Sequence, residues 1–225
     1  MVDDLGSFRV AAWIDDEFAP VDADTKTALE ATVAALDGAG CRVDIDARPA
    51  FRLEDIFGTF GNLLFAALSG GHPKDKIRHL AEDTSDTPMG WVKRSTAVHH
   101  RDWLSDNERR LQYRERWAEF FTGFDAILMP VHPRPAIPHD HTEPMFGRHV
   151  EIGGVDADYI DLWPWIAPAG AAFLPATVVN AGMSSDGLPI GVQIVGPFLH
   201  DRTTIRLGKL IAELRGGCPV PAIAD

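Results

Sequence analysis

The chain has 225 residues, which fits one large domain or two small ones. Hydrophobic residues make up 45% and charged residues 24%, enough for a sizeable core and outside the composition of a disordered chain. A net charge of −12 without any basic stripe argues against a phosphate-backbone reader, so nucleic acid is not an expected partner.

The N-terminal MVDDLGSF is acidic and lacks an apolar h-region, so it does not read as a signal peptide. FRVAAWID (residues 8–15) is a short apolar run ending in carboxylates and reads as a strand. A helix follows, capped by Asp22 or Asp24. Ala28, Leu29, Val33 and Leu36 form its apolar stripe, and Gly38 or Gly40 ends it. CRVDID (residues 41–46) is then a second strand, and strand, helix and strand in so short a span predict a parallel pair with a right-handed crossover.

Residues 52–69 read as a helix with Leu53, Phe57, Phe60, Leu64 and Leu68 near a helical period, stopped by Gly70-Gly71-His72-Pro73. Residues 74–101 are polar and give no clear period. Ser105-Asp106-Asn107-Glu108 has the capping-box pattern and predicts a helix start, with Tyr113, Trp117 and Phe120 following at helical spacing. FDAILMPV (residues 124–131) reads as a buried strand, and residues 130–144, rich in Pro and His, as an irregular loop. ATVVNAG and PIGVQIVGP, separated by MSSDGL, predict a hairpin-like pair. Asp201 is expected to cap a last helix carrying Leu207, Leu210, Ile211 and Leu214 on one face.

These elements predict an α/β fold: a mixed β-sheet flanked by helices, forming a single partial domain over residues 1–225. Residues 162–185 carry no charge, yet Pro164, Pro168, Pro175 and Asn180 argue for a buried core segment and against a membrane span. Cys41 and Cys218 are far apart and outside any CxxC, which suits a reducing compartment, so a cytoplasmic location is expected.

Few residues carry chemistry on their own. Ser184-Ser185 has no His or Lys beside it in sequence, and Asp186-Gly187 directly after it is a turn signal, so the pair reads as a turn. His132, His139 and His141 are candidate metal ligands, but they sit among Pro133, Pro135 and Pro138 without a tight ligand signature, so no metal is expected. Asp15-Asp16-Glu17 follows a strand and reads as a solvated strand end. Asp161 is the last charge before the uncharged stretch. Beside Tyr159, Trp163 and Trp165 it either lines a pocket or is a satisfied polar group at the edge of the core.

The segment LPATVVNAGMSSDGLPIGVQIVGPFLHDRTTIRLGKLIAEL resembles the C-terminal end of amidase-signature enzymes: a Leu-Pro-Ala strand start at Leu174, a small turn, the Gly-Leu-Pro-Ile-Gly-Val-Gln-Ile-Val-Gly-Pro run at residues 187–197, and an acid opening a helix at Asp201. FRVAAWIDDEFAPVDADTKTALEATVAALDGAGCRV and WAEFFTGFDAILMPVHPRPAIPHDH are similar to other stretches of that family, in the same order. The resemblance implies amide-bond hydrolysis by a Ser-cis-Ser-Lys triad held in a Gly/Ser-rich N-terminal half that precedes the part matched here. None of the five lysines, Lys26, Lys74, Lys76, Lys93 and Lys209, sits in the triad's context, so no catalytic residue and no cofactor is expected in this chain. It also implies that Tyr159, Asp161 and Trp163 fall in a substrate-pocket stretch. The expected ligand is a small amide, bound once a catalytic half completes the site. A sheet left with an open edge is expected to self-associate or to pair with a separate N-terminal half. The alternatives are a non-catalytic module serving such a half, or a metal-dependent hydrolase built on His139 and His141.

Overall fold

The computed structural model describes residues 4–219. Strand β1 (Arg9–Ala12), helix α1 (Ala23–Gly38) and strand β2 (Arg42–Asp44) come first. Four helices follow, α2 (Leu53–Leu68), α3 (Lys74–Ala81), α4 (Pro88–Thr96) and α5 (His100–Phe120), and lead into strand β3 (Ala126–Pro130). A separate hairpin, β4 (His149–Ile152) and β5 (Val155–Asp158), precedes the short helix α6 (Ala167–Ala172). Strands β6 (Ala176–Met183) and β7 (Pro189–Val195) and helix α7 (Asp201–Arg215) close the described chain.

The main sheet has the order β2-β1-β3-β7-β6, mixed and flanked by helices as the sequence implies. β2, β1 and β3 run parallel, and β7 and β6 continue the sheet antiparallel. β3 thus marks the change of direction at the centre, and all five of its residues are buried. At the start of β1, the Arg9 and Asp125 backbones and side chains clamp the two parallel strands. The Asp125 amide donates to the Arg9 carbonyl at 2.8 Å, the Arg9 amide donates to Asp125 Oδ2 at 2.8 Å, and the guanidinium reaches Oδ1 at 3.1 Å.

Alternation along the strands divides the core in two. Val10, Ala12, Leu128, Val192 and Ile194 face α1 and α7, where Leu29, Leu36, Leu207 and Ile211 complete an aliphatic layer. Ala11, Trp13, Ile127, Met129 and Val195 face α2, α5 and α6, where Tyr113, Trp117 and Trp165 build an aromatic one. Helix α1 forms as its sequence suggests. Asp22 Oδ1 accepts the Thr25 amide at 2.7 Å, and Gly40, at φ +84°, allows the reversal into β2 that a side chain would strain.

Three expectations need correction. Ser105 does not start a helix: α5 begins at His100, with Asp102 in its first turn, and continues through the capping-box pattern. Asp106 turns inward instead, buried between Asn62 Nδ2 and Arg109 Nη1, both at 3.1 Å, so a tertiary bond takes the place of the cap. Asp201 is the first helical residue of α7, while His200 stands at the cap position. Its carboxylate keeps a favourable place in the first turn, and its carbonyl accepts the Thr204 hydroxyl at 2.9 Å. The polar stretch after Gly71 holds α3 and α4. α3 buries no residue, and α4 is capped by Thr87 Oγ, which accepts the Gly90 amide at 3.0 Å.

Candidate functional site

The chain opens a cavity of about 660 Å³ where β3 runs out into the loop of residues 131–137. Carboxyl ends of parallel strands are where open α/β sheets place their ligands. One wall is the loop itself, with Val131, His132 and Arg134. Another is formed by Val178 and Asn180 of β6 and Ile190 of β7, and Thr25 of α1 reaches in from the aliphatic side of the sheet. Gly191 is required here: a Cβ would stand 3.0 Å from Val178 and 3.1 Å from Val131, tighter than ordinary contact. The start of the loop is fixed by Gln193, whose buried Nε2 donates to the Pro130 and Trp165 carbonyls, each at 2.7 Å. Burial pushes the His132 imidazole below its usual pKa and favours the neutral ring, with Nδ1 2.9 Å from the Arg134 carbonyl oxygen.

The three residues expected at the pocket occupy different places. Tyr159 lines the cavity. Asp161 closes the turn Tyr159–Leu162: its Oδ2 accepts the Asp158 amide at 3.0 Å while the Asp158 carboxylate takes the reciprocal bond. Burial raises the pKa of the Asp161 carboxyl, and the Asp158 amide opposes that shift. Trp163 packs among aromatic rings, 5.4 Å from Phe146 and 6.3 Å from Phe65 between centroids.

Ser184 and Ser185 make the β6–β7 turn. The Ser184 amide donates to the Leu188 carbonyl at 2.7 Å, and the Leu188 amide returns a bond to Ser184 Oγ at 3.0 Å. Ser185 donates both its amide and its hydroxyl to Asp24 Oδ2, at 2.9 and 2.7 Å, which ties the turn to the first turn of α1 and holds the Asp24 carboxyl below its usual pKa. His139 and His141 stand with ring centroids 6.1 Å apart. Among the described residues no three His, Cys, Asp or Glu side chains gather as a metal site. No helix among them is long and apolar enough to cross a membrane.

Sequence reasoning passed over Thr25, Arg134 and Asn180. Arg134 carried a readable signal, as the one Lys or Arg between the buried strand and Arg148. Thr25 and Asn180 carried none, because the sheet's crossovers bring them together.

The amidase family profile matches residues 2–205. The chain belongs to the amidase family. This amidase chain is 33% identical over 101 residues to a glutamyl-tRNA(Gln) amidotransferase subunit from Xanthobacter autotrophicus, an alignment covering 45% of this chain and 19% of that one. It is 29% identical over 150 residues to the 6-aminohexanoate-cyclic-dimer hydrolase of Paenarthrobacter ureafaciens, covering 63% of this chain and 29% of that one. Among solved structures, a chain from a vestigial protein complex that bears on the origins of an s-triazine catabolic enzyme superposes with a TM-score of 0.74 at 16% identity, covering 97% of this chain and 45% of that one. The amidase fold is therefore shared over nearly the whole chain, and the chain spans less than half the length of these relatives.

Proposed function

We propose that this chain supplies the substrate-side half of an amide-bond hydrolase and turns over substrate only when a catalytic half completes it. Family membership over residues 2–205 supports the amide chemistry. The observation that carries the rest is the bonding of the serine pair. Ser185 spends its hydroxyl on a carboxylate and Ser184 receives a backbone amide, so neither is poised against a basic nitrogen. Tyr159, on the cavity wall, is the substrate-facing residue in this reading. Asp161 and Trp163 set the turn and the aromatic packing behind it.

A second reading, a non-catalytic module paired with a separately encoded half, draws on the sheet edge. β6 is the last strand of the sheet, and Val178 and Met183 on it are 55% and 44% exposed. An uncharged edge strand of this kind is a ready template for another chain.

An assay of the 225-residue chain against a panel of small amides, with Ser184→Ala beside it, tests the first reading. No turnover by either protein is expected. Turnover that vanishes in Ser184→Ala would make the turn serine a nucleophile and overturn the proposal. The reading frame upstream of Met1 separates the two readings: a continuous frame encoding a Gly/Ser-rich stretch favours a complete amidase, and a separate gene favours a paired module.

A further inference from the structure

Three residues lining the 660 Å³ cavity each hold a buried polar atom without a hydrogen-bond partner among the described residues: Thr25 Oγ, Arg134 Nε and Asn180 Oδ1. Only Arg110 Nε and Arg215 Nε share that state among the described side chains, so the unmet atoms converge on this cavity. An unpaired buried polar group is costly, which is why folded chains leave few of them. Each of the three residues is nevertheless held by another bond. The Thr25 amide is capped by Asp22, an Arg134 Nη donates to the Glu151 carbonyl, and Asn180 Nδ2 donates to the Gly217 carbonyl at 3.2 Å. The residues are fixed in place and still have bonding capacity to offer.

The charge of the lining narrows what meets that capacity. In a chain of net charge −12, no Asp or Glu lines the cavity among the described residues, and Arg134 is the one Lys or Arg that does. Val131, Ile137, Leu162, Val178 and Ile190 make the rest largely aliphatic. A guanidinium without a facing carboxylate calls for an anionic oxygen. The Asn180 oxygen calls for an N–H donor. An ammonium would enter with no carboxylate on the lining to offset it, whereas an amide N–H carries no such charge.

We propose that this cavity binds a small aliphatic molecule with a carboxylate at one end and an amide at the other. Arg134 takes the carboxylate, Asn180 Oδ1 accepts the amide N–H, and the Thr25 hydroxyl donates to the amide carbonyl. The amide end rests on the amide-hydrolase reading above; the carboxylate end rests on Arg134 and the lining.

Isothermal titration of the full chain with adipic acid monoamide, hexanamide and hexanoate tests the proposal without requiring turnover. The monoamide is expected to bind about tenfold or more tighter than either compound lacking one end. Arg134→Gln is expected to abolish its advantage over hexanamide, and Thr25→Val to weaken it severalfold. Circular dichroism establishes that the variants fold; should Arg134→Gln not fold, Arg134→Lys takes its place and is expected to lose most of the advantage, since lysine has no Nε–H fork. Absence of saturable monoamide binding, equal binding of the three compounds, or an advantage that survives in a folded Arg134 variant would overturn the proposal. A chain that binds the monoamide and hydrolyses nothing leaves this inference intact, and turnover without a carboxylate preference removes it while sparing the amide reading.

Discussion

The two faces of the sheet are held by different physics. Against α1 and α7 the packing is aliphatic: Leu29, Leu36, Leu207 and Ile211 are fully buried and interlock by shape alone. Against α2, α5 and α6 it is aromatic and directional. Trp117 Nε1 donates to the Pro168 carbonyl at 3.2 Å, Trp165 Nε1 to the Ala19 carbonyl at 3.1 Å, and Gln193 spans the Pro130 and Trp165 carbonyls. Those bonds end on the loops and turns that frame the cavity. One face supplies stability by volume; the other also positions the site, because rings with a polar atom fix orientation as well as fill space.

Substitutions ought to separate the faces. The largest effect is expected at Trp117, which is fully buried in the aromatic layer. Trp117→Ala should cost about 3–5 kcal/mol in a urea unfolding titration, through the cavity left behind and the unmet Pro168 carbonyl. Next is Gln193→Leu, which keeps the bulk and removes the two bonds at the root of the cavity loop. A loss of about 1–3 kcal/mol is expected, with a drop in hydrogen-exchange protection across residues 130–137. The smallest belongs to the other face. Leu207→Met, a swap that keeps side-chain volume, should cost less than about 1.5 kcal/mol and leave exchange in the cavity loop unchanged. A Leu207→Met variant that loosened that loop, or a Gln193→Leu variant that did not, would break the distinction between the faces.

Local signals carried the legible parts of the fold. The β1–α1–β2 unit was readable because Asp22, the Leu29 and Leu36 stripe and Gly38 all point to one helix. The Ser184-Ser185 turn was readable because Asp186 and Gly187 follow it directly. α3 was not, since it buries no residue and so shows no apolar period. The start of α5 misled because Asp106 answers to Asn62, 44 residues away, and no local rule sees that partner. The cavity shows the same limit. Tyr159 came within reach through a family resemblance, whereas Thr25, Arg134 and Asn180 sit on a helix, a loop and an edge strand that only the folded sheet gathers.

The clamp between Arg9 and Asp125 sets a timetable for the growing chain. Asp125 leaves the ribosome 116 residues after Arg9. At about 5–20 residues per second that interval is on the order of 10 s. Throughout it β1 has β2 and α1 beside it, while its other edge waits for β3. β7, made later still, must then pair with the far side of β3. The oldest strand of the sheet is therefore among the last to be enclosed, and the interval before β3 arrives is when a chaperone has most to shield.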